Sequence, residues 1–475
     1  MDLTSRRTFL KFAAMAAPSV TSFGSLAAWG MTPATLSSRS VQAWRTSDKQ
    51  RCERVEAPAW RSGSAIGSSV IRLNPEEHYQ DVLGFGAALT DASCYLLSQM
   101  AASARAALLK ECFGADGLGL SIGRTTIGSS DYSRDAYTYD DSGQPDPELQ
   151  HFSIEHDRQY ILPMLRETQQ ANPEIFYFSS PWSPPAWMKA GNSLLGGSMQ
   201  SRYFESYAEY FVKFLKEYAA AGIPIRAVTI QNEIDTDQDG RMPQCMWGQE
   251  YEIKFVKEFL GPALEKNSLD TKIWILDHNY NLWGRVADEF EDPGLSKYVD
   301  GVAWHGYFGS PAAMTRVHNM FPLKNAYWTE GGSDFTAPDY TTDWAKWSGT
   351  FAGILNNWSR CIVSWNLVLD EHGKPNIGPF SCGGLLTLHS QTHQLTRSGM
   401  YWALAHYSKF IKPGASIFST KGDVPGLDHV AAQNPDGTGA LVLTNRGRDR
   451  QVQCVLEDKS LEVTLPANSV TTLTL

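Results

Sequence analysis

The sequence predicts an α/β protein: a closed (β/α)8 TIM barrel with an attached antiparallel β-sandwich domain that is formed by both ends of the chain. Two observations support this prediction. Between residues 81 and 366, eight short apolar or β-branched runs alternate with helical stretches, whereas the flanking segments carry mainly strand signals. Alternating strands and helices imply a parallel sheet, and eight repeats favour a closed barrel over an open sheet.

The predicted barrel strands are short runs bounded by turns or helices. They cover residues 82–89, 119–126, 175–180, 225–230, 272–276, 302–304, 325–329 and 361–365. The clearest helix of the repeat begins near Phe204, which starts an apolar stripe with Tyr207 and Phe211 along one face. Gly222 ends that helix before the next strand. Further helices are predicted over residues 249–266 and 343–358.

The sandwich is predicted from strand runs separated by turns near the C-terminus. These runs cover residues 430–432, 440–444, 451–456, 461–465 and 470–475, and residues 69–73 could add a strand from the N-terminal side. We therefore assign residues 46–80 and 405–475 to the β-sandwich, and residues 81–404 to the catalytic barrel.

The N-terminus reads as an export signal. Ser5-Arg-Arg-Thr-Phe-Leu-Lys11 precedes an apolar, Ala-rich stretch that ends near Ala28. Paired arginines followed by a short apolar segment are typical of twin-arginine signals, although a basic amphipathic tail is the alternative. The expectation is a signal peptide over residues 1–28 and a linker over residues 29–45. The protein is then exported to the periplasm or secreted.

Composition excludes several classes of protein. The hydrophobic content of 42% and charged content of 19% exclude a disordered chain. The net charge of −10 argues against a nucleic-acid partner. After the N-terminus no run reaches the roughly 18 apolar residues of a membrane span, so no integral span is expected. Seven cysteines are too few for a disulfide scaffold, and their odd number leaves at least one thiol unpaired.

Two glutamates follow predicted barrel strands directly. Glu233 follows the fourth strand and Glu330 the seventh, so a closed barrel brings both to its C-terminal mouth. Cleavage of a glycosidic bond needs two such carboxyl groups: one protonates the leaving oxygen, and the other attacks the sugar or activates water. A glutamate at a strand end can also be an ordinary solvated loop residue, but this pair lies among Asn, His, Tyr and Trp residues.

Five motifs follow one another along the barrel segment. They are Gly84-Phe-Gly-Ala-Ala-Leu-Thr-Asp91, Asp131-Tyr-Ser, Ser180-Pro-Trp-Ser-Pro-Pro-Ala-Trp187, Ala227-Val-Thr-Ile-Gln-Asn-Glu233 and Thr329-Glu-Gly-Gly332. In this order they resemble glycoside hydrolase family 30, with its glucosylceramidase-like members as the nearest likeness. The likeness runs from about residue 80 to the end of the chain. Two departures concern loops on the aglycone side. Ile234 stands where many relatives have Pro, and the eighth-strand motif is only Ser364-Trp-Asn366.

The resemblance implies a retaining β-glycosidase and a role for each matching residue. Glu233 would be the general acid/base and Glu330 the nucleophile. The implied substrate-binding residues are Asp131, Trp182, Asn232, His305, Tyr307 and Trp365. Glu233 is expected to begin protonated, with a pKa raised by burial and by the charge of Glu330, which must itself be ionised.

The resemblance further implies an enzyme that cleaves a terminal β-linked sugar from a carbohydrate or glycolipid substrate, most simply a β-glucosidase of the glucosylceramidase type. β-Xylosidase, β-fucosidase and β-1,6-glucanase remain alternatives, as does a non-catalytic carbohydrate-binding protein. No cofactor and no metal site are expected, since the spacing of His389 and His393 falls in a loop without an acidic ligand.

Overall fold

A computed structural model describes residues 36–63 and 69–475. The export signal predicted over residues 1–28, and the first residues of the predicted linker, lie outside this range. Within it, no helix is both long and apolar enough to span a membrane. All seven cysteines are among the described residues, and each is a free thiol.

Strands β1–β4 precede the barrel. They are β1 Gln42–Thr46, β2 Arg51–Val55, β3 Arg61–Ser62 and β4 Val70–Asp81. Because β1 begins at Gln42, the last four residues assigned to the linker belong to a strand instead. Three short strands of this segment were not predicted, since their sequences are rich in Arg and Gln and show little alternation of apolar and polar residues.

The predicted closed barrel is confirmed. Its eight strands are β5 Gly84–Ala88, β6 Ile122–Thr126, β7 Phe176–Ser180, β8 Ile225–Thr229, β9 Lys272–Asn279, β10 Val299–His305, β11 Asn325–Glu330 and β12 Ser359–Ser364. All neighbours pair in parallel, and β12 returns to pair with β5. Each strand overlaps one of the eight predicted runs, so the C-terminal strand ends meet at one mouth.

The helices cover the outside of the barrel and the interface with the sandwich. They are α1 Asp91–Gln99, α2 Ala102–Phe113, α3 Glu155–Arg158, α4 Ile161–Ala171, α5 Phe204–Ala220, α6 Gln249–Phe255, α7 Gly261–Lys266, α8 Trp283–Phe290, α9 Pro293–Ser296, α10 Ala312–Met320, α11 Trp344–Leu355 and α12 Gly399–Ser408. Gly222, with φ of +84°, follows α5 as predicted. The helix predicted over residues 249–266 is interrupted by a π-helical turn, Val256–Leu260, between α6 and α7.

The remaining strands form two sheets. β13 Val368–Leu369, β14 Leu386–Leu388 and β15 Leu395–Arg397 make a small sheet beside the barrel. The others are β16 Ser416–Lys421, β17 Leu427–Gln433, β18 Gly439–Asn445, β19 Arg450–Leu456, β20 Lys459–Leu465 and β21 Ser469–Thr474. These six join β1–β4 in one ten-stranded sheet, which is antiparallel except between β4 and β19. Both chain ends therefore build the sandwich, as predicted.

Strands β17 and β18 bury both faces. Ala431 and Leu441 point into the sandwich core, whereas their neighbours Val430 and Val442 belong to the barrel-side core. This two-sided burial joins the sandwich to the barrel.

Helix α12 crosses the boundary that the sequence placed after residue 404, and it ties the two domains together through a buried histidine. The His406 ring contacts the hydroxyl of Thr472 in β21 through Nδ1 and that of Thr46 in β1 through Nε2, each at 2.8 Å. Burial lowers the pKa of His406 to about 3, so the ring is neutral in the folded protein.

His406 should make folding sensitive to mild acid. Below pH 6.5 the unfolded chain takes up a proton at this residue and the folded chain does not, so stability falls by about 1.4 kcal/mol per pH unit. We expect the free energy of unfolding of the wild type to exceed that of His406→Gln at pH 7.5. This advantage should shrink as the pH falls from 6.5 to 5. Denaturant titrations measure both quantities, with the exposed His372→Gln as control; an advantage that stays constant with pH would contradict the prediction.

Candidate active site

A cleft of about 360 Å³ opens at the C-terminal mouth of the barrel. Its lining residues are Asp131, Trp182, Asn232, Glu233, Gln238, Met242, His278, Asn279, Tyr307, Glu330, Trp365, Phe380 and Cys382. Seven of the eight residues predicted for the site are in this lining. The eighth, His305, is fully buried beside it, with its Nδ1 3.6 Å from Glu233 Oε1.

The two predicted catalytic carboxylates face each other in this cleft. Glu233 follows β8 and Glu330 ends β11, and both side chains are buried. An oxygen of each carboxylate and a ring nitrogen of His305 all lie within 4.8 Å of one another. Arg124 contacts one of these carboxylates and His305 both, so positive charge already compensates the pair and disfavours a metal cation there.

The backbone at Glu233 is strained and is held by several hydrogen bonds. Its φ of +51° lies in the left-handed region, which non-glycine residues seldom adopt. Its N–H donates to the carbonyl of Asp277 at 2.9 Å. Gln244 Nε2 donates to the carbonyls of Asn232 and Glu233 at 2.7 and 2.8 Å. This conformation directs the Glu233 carboxylate into the cleft.

The environment of the Glu233 carboxylate corrects one expectation. Burial alone would raise its pKa, but hydrogen bonding with His305, the charges of His278 and His305, and the Gln238 amide together hold the pKa below its usual range. His278 Nε2 lies 3.6 Å from Oε1, and Gln238 Nε2 donates to Oε2 at 2.7 Å. The raised pKa expected from the sequence is therefore wrong for the free protein, because two histidines from other strands outweigh burial.

The Glu330 carboxylate receives a donor on each oxygen. The Tyr307 hydroxyl donates to Oε1 at 3.0 Å, and Arg124 Nη1 donates to Oε2. Arg124 Nη2 also donates to Asn232 Oδ1 at 2.8 Å and to Asp277 Oδ2 at 2.9 Å. This fully buried guanidinium, in the middle of β6, thus joins three polar residues of the site.

Asp277 anchors the floor of the site. Ser180 and Thr229 donate to its Oδ2, and Thr329 to its Oδ1, each at 2.7 Å. His305 Nε2 lies 2.9 Å from Oδ1. Burial opposes ionisation, yet Arg124 and His305 hold the pKa of Asp277 well below its usual range. His305 is correspondingly basic: burial alone would lower its pKa, but Glu330, Asp277 and Glu233 raise it to about 9.

An aromatic wall and a buried acid complete the cleft. The Trp182 and Trp365 rings stack 5.1 Å apart at 19°, and Arg124 lies 5.0 and 5.2 Å from their centroids. Burial, followed by the charges of Glu330 and Glu233, raises the pKa of Asp131 well above its usual range. A protonated Asp131 can both donate and accept a hydrogen bond, which suits a hydroxyl-rich ligand.

Sequence reasoning gave no role to Arg124, Asp277, His278 and Gln238. Asp277 and His278 stood at a strand end without an assigned function. The sequence did contain a signal for Arg124, because an arginine is unusual inside a short strand of otherwise apolar or β-branched residues. Gln238 lies in the long loop after β8, and nothing in the local sequence indicates that its amide reaches Glu233.

Both parts of the fold match known family models. The Glycosyl hydrolase family 30 TIM-barrel domain matches residues 82–411, and the Glycosyl hydrolase family 30 beta sandwich domain matches residues 414–473. An endo-1,6-beta-D-glucanase of Neurospora crassa is 33% identical, over 86% of this chain and 88% of its own length. The lysosomal acid glucosylceramidase of Mus musculus is 30% identical, over 87% and 84%.

Among solved structures, the endo-beta1,6-glucanase BT3312 superposes with a TM-score of 0.83 at 32% identity, over 91% of this chain and 99% of its own. Family models that together span the barrel and the sandwich, with relatives of this similarity, place the chain in glycosyl hydrolase family 30 as a glycoside hydrolase.

Proposed function

We propose that this protein is a retaining β-glycoside hydrolase that cleaves β-1,6-linked glucan, with Glu330 as nucleophile and Glu233 as general acid/base. The observation that carries the proposal is the close approach of the two carboxylates, since one oxygen of each lies within 4.8 Å of the other. Retaining enzymes hold their carboxyl groups about 5–5.5 Å apart, whereas inverting enzymes separate them by about 6.5–9.5 Å to admit a water.

The contacts fit a double displacement. In the first step Glu330 attacks the anomeric carbon, the bond to the leaving oxygen breaks, and Glu233 gives that oxygen its proton. Tyr307 and Arg124 hold the Glu330 carboxylate in position for this attack. In the second step Glu233 takes a proton from water, which attacks the same carbon and releases Glu330. Asn232, fixed by Arg124, stands beside the sugar to bind a ring hydroxyl.

The proton for the first step is held by Glu233 and His305 together. In the free protein the low pKa of Glu233 and the high pKa of His305 place it on the imidazole, 3.6 Å from Glu233 Oε1. We propose that the proton passes from His305 Nδ1 to Glu233 as the leaving oxygen accepts one, while His305 Nε2 faces Asp277.

The choice of β-1,6-glucan rests on similarity and on the rim of the cleft. The relatives named as endo-1,6-beta-D-glucanases include proteins of Neurospora crassa and Trichoderma harzianum, at 33% and 31% identity. Tyr307 and Phe380 line the cleft and are 45% and 41% exposed, which offers ring faces to a polymeric sugar chain. Glucosylceramide is the second candidate, because the murine glucosylceramidase is 30% identical.

We also propose that the reaction takes place outside the cytoplasm, in the periplasm or after secretion. The support is the twin-arginine pattern within residues 1–28.

Alanine in place of either carboxylate should greatly reduce turnover, and the two variants should differ in the product that azide gives. We expect Glu330→Ala to lose about 10⁴-fold or more in kcat. Glu233→Ala should lose about 10²–10⁴-fold with a poor leaving group. Azide should rescue Glu233→Ala to a β-glycosyl azide and Glu330→Ala to an α-glycosyl azide, as identified by NMR of the products. The exposed Glu148→Ala is the control, and an active Glu330→Ala enzyme would disprove the mechanism.

The substrate assignment predicts a preference among β-linked substrates. With linear β-1,6-glucan we expect early release of mixed oligosaccharides. We also expect kcat/KM for glucosylceramide in micelles to be at least about tenfold lower. Comparison of kcat/KM for nitrophenyl β-glucoside, β-xyloside and β-fucoside identifies the preferred sugar. Linear β-1,3-glucan is the control for the linkage that is cleaved. Faster turnover of glucosylceramide would instead favour the second candidate.

The charges around His305 predict that the pKa of its ring depends on Glu330. Because the Glu330 charge is the foremost influence that raises the pKa of His305, Glu330→Gln should lower that pKa from about 9. Titration of the ring nitrogens by ¹⁵N NMR measures the change, and Glu148→Gln should leave the resonance where it is. An unmoved His305 titration in Glu330→Gln would contradict the electrostatic arrangement.

A further inference from the structure

A buried charged cluster lies outside the barrel, against the strand that carries Asp277. Glu252 of α6 accepts from Arg285 Nη2 of α8 at 2.7 Å, and Arg285 Nε donates to Glu289 at 2.8 Å. Both glutamates are fully buried, and burial together with Glu252 raises the pKa of Glu289 well above its usual range. Arg285 therefore lies between two buried glutamates and contacts both. Buried ion pairs contribute little net stability to folding, so stability alone does not account for this cluster.

The second carboxylate oxygen of Glu252 contacts the backbone of the barrel. Its Oε1 accepts the N–H of Leu276 at 3.1 Å. Leu276 and Asp277 are consecutive non-glycine residues with φ of +72° and +44°. Such residues persist only where the surrounding structure enforces their conformation. Here the surroundings include a side-chain acceptor for the backbone N–H of Leu276.

This distortion is a bulge that redirects a side chain of the active site. In the pairing of β9 with β10, Ala303 lies opposite Leu276 and Trp304 opposite His278, so Asp277 is skipped. Leu276 consequently packs outside the barrel, and Asp277 turns inward to Arg124.

The bulge is bonded directly to the backbone of Glu233. The carbonyl of Asp277 accepts the Glu233 N–H at 2.9 Å. A second connection starts from the same cluster, since Arg285 Nη1 donates to the carbonyl of Trp247 at 3.2 Å. The Trp247 N–H in turn donates to the carbonyl of Ile234 at 2.8 Å. The cluster is thus connected to the backbone N–H of Glu233 through Asp277, and to the following residue, Ile234, through Trp247.

We propose that Glu252 and Arg285 are positioning residues that hold Glu233 in its catalytic orientation from outside the barrel. The proposal rests on the assignment of Glu233 as acid/base made above. Neither residue enters the cleft, so their effect must be transmitted through the Leu276–Asp277 bulge and the Trp247–Ile234 contact.

A comparison of leaving groups tests this role. A 2,4-dinitrophenyl β-glucoside needs no proton from Glu233 to depart, whereas a phenyl β-glucoside does. We measure the ratio of kcat/KM for the two substrates. Glu252→Ala should raise the ratio about tenfold or more above wild type through loss of phenyl glucoside turnover. Arg285→Lys should raise it at least about threefold, and Glu252→Gln, which keeps an acceptor for Leu276, should give an intermediate value.

The control is Glu167→Ala, which removes a partly exposed helix-borne pair with Arg105, at 2.8 Å, far from the bulge in sequence. Its ratio should equal that of wild type, because lost stability alone affects both substrates alike. If Glu252→Ala does not fold, Arg285→Lys and Glu252→Gln decide. Unchanged ratios in the folded variants overturn the proposal, provided that Glu233→Ala raises the ratio. If Glu233→Ala leaves the ratio unchanged, the acid/base assignment itself fails.

Discussion

The active site depends on one buried cation. Arg124 has no exposed surface, and it contacts the carboxylates of Glu330 and Asp277 as well as the amide oxygen of Asn232. An unpaired charge in such a place costs several kcal/mol, and breaking a buried pair by removing one partner costs about 3–5 kcal/mol. The carboxylates of Asp277 on β9 and Glu330 on β11 must therefore lie at the same level along the barrel axis as Arg124 on β6. The closed barrel, with its strands paired in this register, allows this.

The barrel strands meet this demand by their alternation of inward and outward residues. The lower layer inside the barrel is apolar and includes Ile122, Phe178, Ala227, Ala303 and Tyr327. Two positions further along the same strands, the inward residues are polar: Arg124, Ser180, Thr229, His305 and Thr329. Strand β9 breaks the rule, since Trp274 is followed inward by Asp277, three residues on. The bulge absorbs the extra residue, so Asp277, one of the two carboxylate partners of Arg124, faces inward because the strand is distorted.

This distinction between regular and irregular backbone separates what the sequence could predict from what it could not. The eight strands, and the meeting of Glu233 with Glu330, follow from local periodicity plus the closure of the barrel. The contact between Arg124 and Asp277 requires the bulge, which has no local signal because Leu276 and Asp277 are ordinary strand-end residues. The lowered pKa of Glu233 likewise depends on His278 and His305, which come from other strands. The composition of a strand indicates that a side chain such as Glu233 is buried. It does not indicate which charged side chains from other strands will face that side chain across the barrel.

The loop after β8 contacts both the cleft and Glu233, the proposed acid/base residue. Ile234 is buried, and its carbonyl accepts the N–H of Trp247. Farther along, Gln238 donates to the Glu233 carboxylate and Gln244 holds the neighbouring carbonyls, while Met242 lines the cleft. A change in this loop that reshapes the space for the leaving group therefore also moves a donor or a backbone contact of Glu233. Adaptation to a new aglycone must preserve these bonds, and the buried pair of Glu252 with Arg285 secures Glu233 from the opposite side of the strand wall.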